Sequence, residues 1–174
     1  MVTRSVRLAR TLDENLKEEA RREGLTVNAL VALIVDEYQQ RQRIARRFPL
    51  VSLPLDVLKS VWESLDDDSL VKLARQEGRK ITKDVILFWF KEANLQNFMA
   101  YLALLSKYQG FGHFETGDTG ESIMVIARHG MGKKWSIWIK NYLTEGIRSS
   151  LEVTPEVEES ADSVVFKFPK KTEK

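Results

Sequence analysis

The stretch Thr3-Arg4-Ser5-Val6-Arg7-Leu8, with the helical run to Glu23 and the Gly24-Leu25-Thr26 break behind it, decides how the first quarter of this 174-residue chain is read. Val6 and Leu8, with Val2 in the same phase, fall on one face of an extended segment, while Thr3, Ser5 and Arg7 fall on the other. That alternation predicts a short strand. A lone strand of this length has no partner in its own segment and must borrow one from a second copy. Arg4 breaks the apolar phase, but its long stem can lead the charge out to water or to a phosphate.

Two helices are predicted next. Thr11-Leu12-Asp13-Glu14 has capping-box spacing and puts two acids in an opening turn, which starts the first helix near Arg10 or Thr11. Its apolar stripe is Leu12, Leu16 and Ala20. Gly24 supplies the left-handed residue that ends a helix, and Thr26 is a good N-cap for the next. The second helix carries Leu30, Leu33, Ile34 and Tyr38, and also Val27, Val31 and Val35. So wide an apolar surface, in a segment of roughly forty residues, exceeds what one partner helix can cover and calls for burial against a second copy.

Residues 2–43 resemble the ribbon-helix-helix DNA-binding proteins of the Arc and Met-repressor type, through the strand pattern, the Leu16/Ala20/Gly24-Leu25-Thr26 spacing and the Leu30/Ile34/Tyr38 stripe. The resemblance implies a homodimer whose two strands pair antiparallel across a two-fold axis and enter the major groove of double-stranded DNA. It places base contact at Thr3, Ser5 and Arg7, and Arg7 has the fork that pairs bidentately with guanine. Phosphate contact falls to Arg4 and to the start of the second helix, Thr26, Val27 and Asn28, whose free N–H groups point at an anion. The chain has Ala9 where the family more often opens the first helix with Pro or Ser.

Charge agrees in sign with a nucleic-acid partner. Residues 1–47 hold 10 Lys and Arg against 7 Asp and Glu, a surplus of +3, and the remainder holds 17 against 18. Arg41, Arg43, Arg46 and Arg47 extend the basic run along the second helix; a helix C-terminus complementing its own dipole reads the same way. The chain has no Cys, which removes disulfides, thiolate metal sites and cysteine nucleophiles and fits a cytoplasmic setting. No apolar run has transmembrane length and no signal-peptide pattern opens the chain.

The organisation expected is residues 1–47 as the DNA-binding and dimerisation domain, 48–170 as a second domain for oligomerisation or effector binding, and 171–174 as a frayed tail. The break falls at Arg47-Phe48-Pro49, with Leu50 to Leu55 extended. Leu55 to Leu65, Ser69 to Glu77, Thr82 to Glu92 and Leu95 to Tyr108 then read as helices, with Gly78 ending the second. Strands are expected at Phe111 to Thr116 and Ser122 to Arg128, around the turn-rich Gly117-Asp118-Thr119-Gly120. An amphipathic helix from Lys133 to Ser150 and a last strand, Ser163 to Phe168, complete an α+β class of helices on a small antiparallel sheet. Ala20-Arg-Arg-Glu-Gly24 and Ala74-Arg-Gln-Glu-Gly78 form a faint internal echo, compatible with duplication or with common helix punctuation.

His129-Gly130-Met131-Gly132-Lys133-Lys134-Trp135-Ser136, with Ile86 to Phe90, is similar to the C-terminal domains of uncharacterised archaeal proteins that carry a ribbon-helix-helix N-terminus; the likeness implies no chemistry. A strand end, a glycine loop and a helix start make His129, Gly130, Gly132, Lys133 and Lys134 a candidate anion or ligand site, or a tight turn beside core tryptophans. It is not a Walker loop. With only His113 and His129 as nitrogen ligands, no metal site is expected. Asp66-Asp67-Asp68 reads as a solvated turn, and no nucleophile–base signature marks an enzyme. No cofactor is implied. The function expected is a repressor-type transcription regulator, a homodimer or a higher oligomer built on it, with an unidentified effector. The second reading is a dimeric protein-interaction module, antitoxin-like or a scaffold, in which the N-terminal unit only dimerises.

Overall fold

Ser122–Arg128 alternates buried and half-buried side chains, and that alternation seats it in the centre of a four-stranded antiparallel sheet. The computed structural model describes residues 4–47, 53–108 and 112–170. Among them are six helices, α1 (Arg10–Arg22), α2 (Val27–Arg47), α3 (Leu55–Ser64), α4 (Asp67–Phe90), α5 (Leu95–Tyr108) and α6 (Lys133–Leu151), and four strands, β1 (His113–Asp118), β2 (Ser122–Arg128), β3 (Glu156–Glu159) and β4 (Ser163–Pro169). The chain divides into two compact units, 1–52 and 53–174.

In the second unit the sheet runs β1-β2-β4-β3, with Val125 opposite Phe166 and Ile123 opposite Phe168. Ile123, Val125, Ala127, Val164, Phe166 and Phe168 form one buried face of the sheet. Helix α6 lies between that face and α4, so it is buried around most of its circumference. Two glycines allow α4 and α6 to approach closely, Gly78 against the backbone of α6 and Gly146 against the Thr82 side chain of α4. A Cβ on Gly78 would stand 2.1 Å from the Tyr142 carbonyl oxygen, and one on Gly146 would stand 2.7 Å from Thr82 Oγ1. Tyr101 and Tyr142 share a buried 2.7 Å hydrogen bond, which satisfies both phenols in the core. Trp62 secures α3, its ring 5.4 Å from that of Trp135; Trp135, Trp138 and Tyr142 then stack in sequence down α6.

Two expectations need correction, and one element was not foreseen. The ribbon-helix-helix fold class does not hold for the N-terminal unit, which is a pair of helices: residues 4–9 form no strand, and Thr3 lies outside the described residues. A strand is made by ladder hydrogen bonds, and among the described residues 4–9 pair with no strand. Gly78 does not end a helix, because α4 runs unbroken from Asp67 to Phe90. The buried series Leu70, Ala74, Gly78, Thr82, Val85 and Ile86 keeps helical period straight through it. The four-residue β3 was not expected; its sequence Glu-Val-Glu-Glu has a single apolar residue, and its place beside β4 makes it a strand. The proposed break at Phe48-Pro49 lies outside the described residues, and α3 begins at Leu55, where a helix was expected.

Candidate functional site

Helix α1 ends in a Schellman arrangement. Gly24 takes φ +66, its N–H bonds to the Arg21 carbonyl, and the Leu25 N–H bonds to the Ala20 carbonyl. Thr26 then caps α2 by accepting the Ala29 N–H at 3.2 Å. The start of α1 departs from the capping-box reading: Ala9 is the N-cap and Thr11 lies inside the helix. Among the described residues of this unit, Ala20 and Leu30 are the buried apolar side chains. Leu33, Ile34, Val35 and Tyr38 are between 46% and 64% exposed, and Val6 in the arm is 74% exposed.

The basic side chains of this unit fall into two groups. On α1, Arg10 pairs with Glu14, Lys17 with Asp13, and Arg22 with Glu18 and Glu19, all within one turn, whereas Arg21 is exposed and in no ion pair among the described residues. Arg4 and Arg7, with Ser5 between them, are exposed on the arm and pair with no described residue. The N–H groups of Val27 and Asn28 have no hydrogen-bond partner among the described residues, and Asn28 is exposed. Arm and helix start thus present cations and free donors. Arg46 is exposed near the end of α2; the side chains of Arg41, Arg43 and Arg47 lie outside the described residues.

The His129 loop sits in the second unit, where β2 turns into α6. Gly130 and Gly132 take φ +61 and +82, a region that suits glycine. His129 Nδ1 accepts the Met131 N–H at 3.1 Å, so the ring carries its proton on Nε2 and donates it to Ser136 Oγ at 2.9 Å. Ser136 in turn donates to the Ala161 carbonyl. This direction is opposite to that of a serine activated by a base, and Ser136 is fully buried. Burial pushes the imidazole pKa down, against the pull of Asp162. The Gly132 N–H donates to Asp162 Oδ1 at 3.2 Å, so an acid of this chain already stands at the start of α6. Lys134 reaches the other way, to the Leu65 carbonyl at 2.6 Å and Asp67 at 2.7 Å, and Lys133 is exposed.

Sequence reasoning did not find Asp162, Ser136 or Asp67 as partners of this loop. They arrive from the turn before β4, from the first turn of α6 and from the start of α4, and no local signal connects them. Asp66 caps α4 by accepting the Ser69 N–H at 2.8 Å, and that bond holds its carboxyl below the usual range. No group of three His, Cys, Asp or Glu that could hold a metal occurs among the described residues. No described helix is long and apolar enough to cross a membrane. No protein-family model matches the chain, and no curated protein matches it.

Proposed function

We propose that this chain is a sequence-specific, double-stranded-DNA-binding transcription regulator that acts as a cytoplasmic homodimer, with residues 4–9 and the start of α2 as its DNA-facing parts. The observation that carries the reading is the contrast on the first unit: Arg10, Lys17 and Arg22 are each paired with an acid within α1, while Arg4 and Arg7 pair with no described residue. Arg7 is assigned to base edges, Ser5 to a base or a neighbouring phosphate, and Arg4 to the backbone. The free N–H groups of Val27 and Asn28 add donors of the kind that anchor phosphates. The apolar surface of Leu33, Ile34, Val35 and Tyr38 supplies the reason for a dimer, and a dimer doubles the N-terminal surplus of positive charge.

The uncovered α2 face also favours a second reading, a module that dimerises or docks another protein without touching DNA. Selection of bound duplexes from a random pool at two salt concentrations separates the two. Recovery of a palindromic motif, with affinity falling steeply as salt rises, is expected. A folded dimer that retains no duplex at low salt would leave the interaction module standing instead. Arg7→Ala should lose about 1–3 kcal/mol at one base position, whereas Asn28→Ala should weaken all sequences alike.

A further inference from the structure

Charge is segregated in the second unit. Residues 48–174 hold 17 Lys and Arg against 18 Asp and Glu, yet one face of α4 is basic. Lys72, Arg75, Arg79 and Lys83, spaced three or four residues apart with Gln76 among them, form a row along that helix, and all are exposed. The acids of α4 lie elsewhere: Asp67 and Asp68 in its first turn, and Glu77 and Asp84, seven residues apart, on another side. Lys72 and Lys83 enter no ion pair among the described residues.

Helix α6 holds the arginines by their inner edges. Arg75 Nε donates to Asn141 Oδ1 at 3.0 Å, and Arg79 donates through Nε and Nη2 to Glu145 Oε2 at 3.3 and 2.9 Å. From α6 itself, Arg148 Nη1 donates to the other Glu145 oxygen at 3.1 Å. Asn141 and Glu145 are buried, whereas the Arg79 and Arg148 side chains are 72% and 46% exposed. Three guanidinium groups thus share one carboxylate, because Arg75 meets a neutral amide where Arg10, Lys17 and Arg22 of α1 each meet an acid. With Lys72 and Lys83, five cations stand against one anion. Joining the two helices needs one cation for that acid. The surplus is held in place with its outer N–H groups toward water, a preorganised set of donors for an external anion.

Shape selects the anion. From Lys72 to Lys83 the row runs about 16 Å. Cations spread over that length suit a linear polyanion, whose charges recur about every 3.4 Å along each strand, better than a single small ion. Arginine forks match phosphate oxygens. A helix seated on a membrane carries apolar side chains beside its cations, and the row has none between Lys72 and Lys83. We propose that the α4–α6 face binds the phosphodiester backbone of a nucleic-acid duplex without reading its sequence. The inference does not depend on base reading by residues 4–9.

Titration of the full chain with a duplex of about 20 base pairs and arbitrary sequence, followed by arginine Nε–H and backbone amide chemical shifts, tests it. The duplex should move the signals of Arg75, Arg79 and Arg148 and the α4 amides from Lys72 to Lys83. Lys72→Gln, Arg75→Gln and Lys83→Gln together leave both Glu145 pairs in place and should lower the slope of log affinity against log salt by about 3. Lys72→Gln with Lys83→Gln removes no hydrogen bond; it should lower the slope by about 2 and serves if the triple variant alters the fold. Lys59→Gln, Lys133→Gln and Lys167→Gln, an equal loss of charge off the row, should change it by less than about 1. Arg7→Ala is measured in parallel: if the first unit does not touch DNA, that variant is neutral while the α4 signals still move, so the two readings fail separately. Unmoved signals of Arg75, Arg79 and Arg148, equal slopes for the triple variant and its control, or tighter binding of phosphatidylserine vesicles or polyglutamate than of the duplex would each overturn the proposal.

Discussion

At Gly78 a side chain has no room, and at Gly24 it has space but the wrong backbone. The hydrogen on Gly78 Cα is what lets the α4 backbone lie against the Tyr142 carbonyl, so Gly78→Ala must separate two helices that share the largest contact in the second unit. Although alanine favours a helix by up to about 1 kcal/mol, this overpacking should cost about 3 kcal/mol net, read as a lower urea midpoint. Gly24→Ala meets nothing within 4 Å, and its cost of about 1 kcal/mol should come from the positive φ alone. His129 gives a pH signature. Its folded pKa lies below the unfolded value of about 6.5, so the neutral ring contributes stability that is complete above that value. This contribution is lost as the pH falls from about 6.5 through the folded pKa, because a protonated Nδ1 cannot accept the Met131 N–H. His129→Asn, which retains an acceptor and cannot titrate, should flatten the change in urea midpoint between about pH 7.5 and about pH 5. An unchanged slope would assign that pH dependence to other groups.

Among the elements, α2 is the one least explained by its own copy. Its 21 residues include Leu33, Ile34, Val35 and Tyr38, all exposed, on a helix whose described contacts are with α1. If the chain worked as a monomer, Leu33→Glu and Ile34→Glu would be surface changes worth within about 0.5 kcal/mol. The expectation for a homodimer is different: the double substitution should halve the mass by sedimentation and unfold the first unit. Retention of the parental mass would place the dimer contact elsewhere. By contrast, the α4–α6 pair completes its own polar contacts. Burial raises the Glu145 carboxyl, but hydrogen bonds from Arg79 and Arg148 outweigh it and hold the group below its usual range. Arg75 bonds Asn141 one turn away.

On the scale of the whole molecule, the two units differ in how much core each owns. The second holds Phe98, Tyr101, Leu105, Ile139, Leu143 and Phe166 fully buried, while the first buries Ala20 and Leu30 among its described residues. Heating should therefore give two transitions. The second unit should melt at a temperature independent of protein concentration, and the first should melt higher as concentration rises, because a dimer is stabilised by mass action. Far-ultraviolet dichroism over a hundredfold range of concentration checks this, with tryptophan fluorescence reporting the second unit, where all four tryptophans lie. A single concentration-independent melt would contradict both the independence of the units and the dimer.

What the amino-acid order determined by itself is what short-range chemistry controls. The helix stop at Gly24, the cap at Thr26, the bounds of β2 and α5 and the start of α6 at Lys133 follow from backbone freedom, capping groups and periodicity over a few residues. The echo between Ala20 to Gly24 and Ala74 to Gly78 marks where that chemistry stops being sufficient. The first glycine is followed by a capping threonine and turns left-handed; the second lies in an apolar stripe that continues, and the backbone of α6 fills the space a side chain would need. In the same way residues 4–9, patterned as a strand, pair with no strand among the described residues, and Glu156–Glu159 becomes a strand because β4 offers it an edge. Only the tertiary structure could decide these points, together with the partners of His129 and of Arg79, since each depends on atoms from segments that local sequence does not connect.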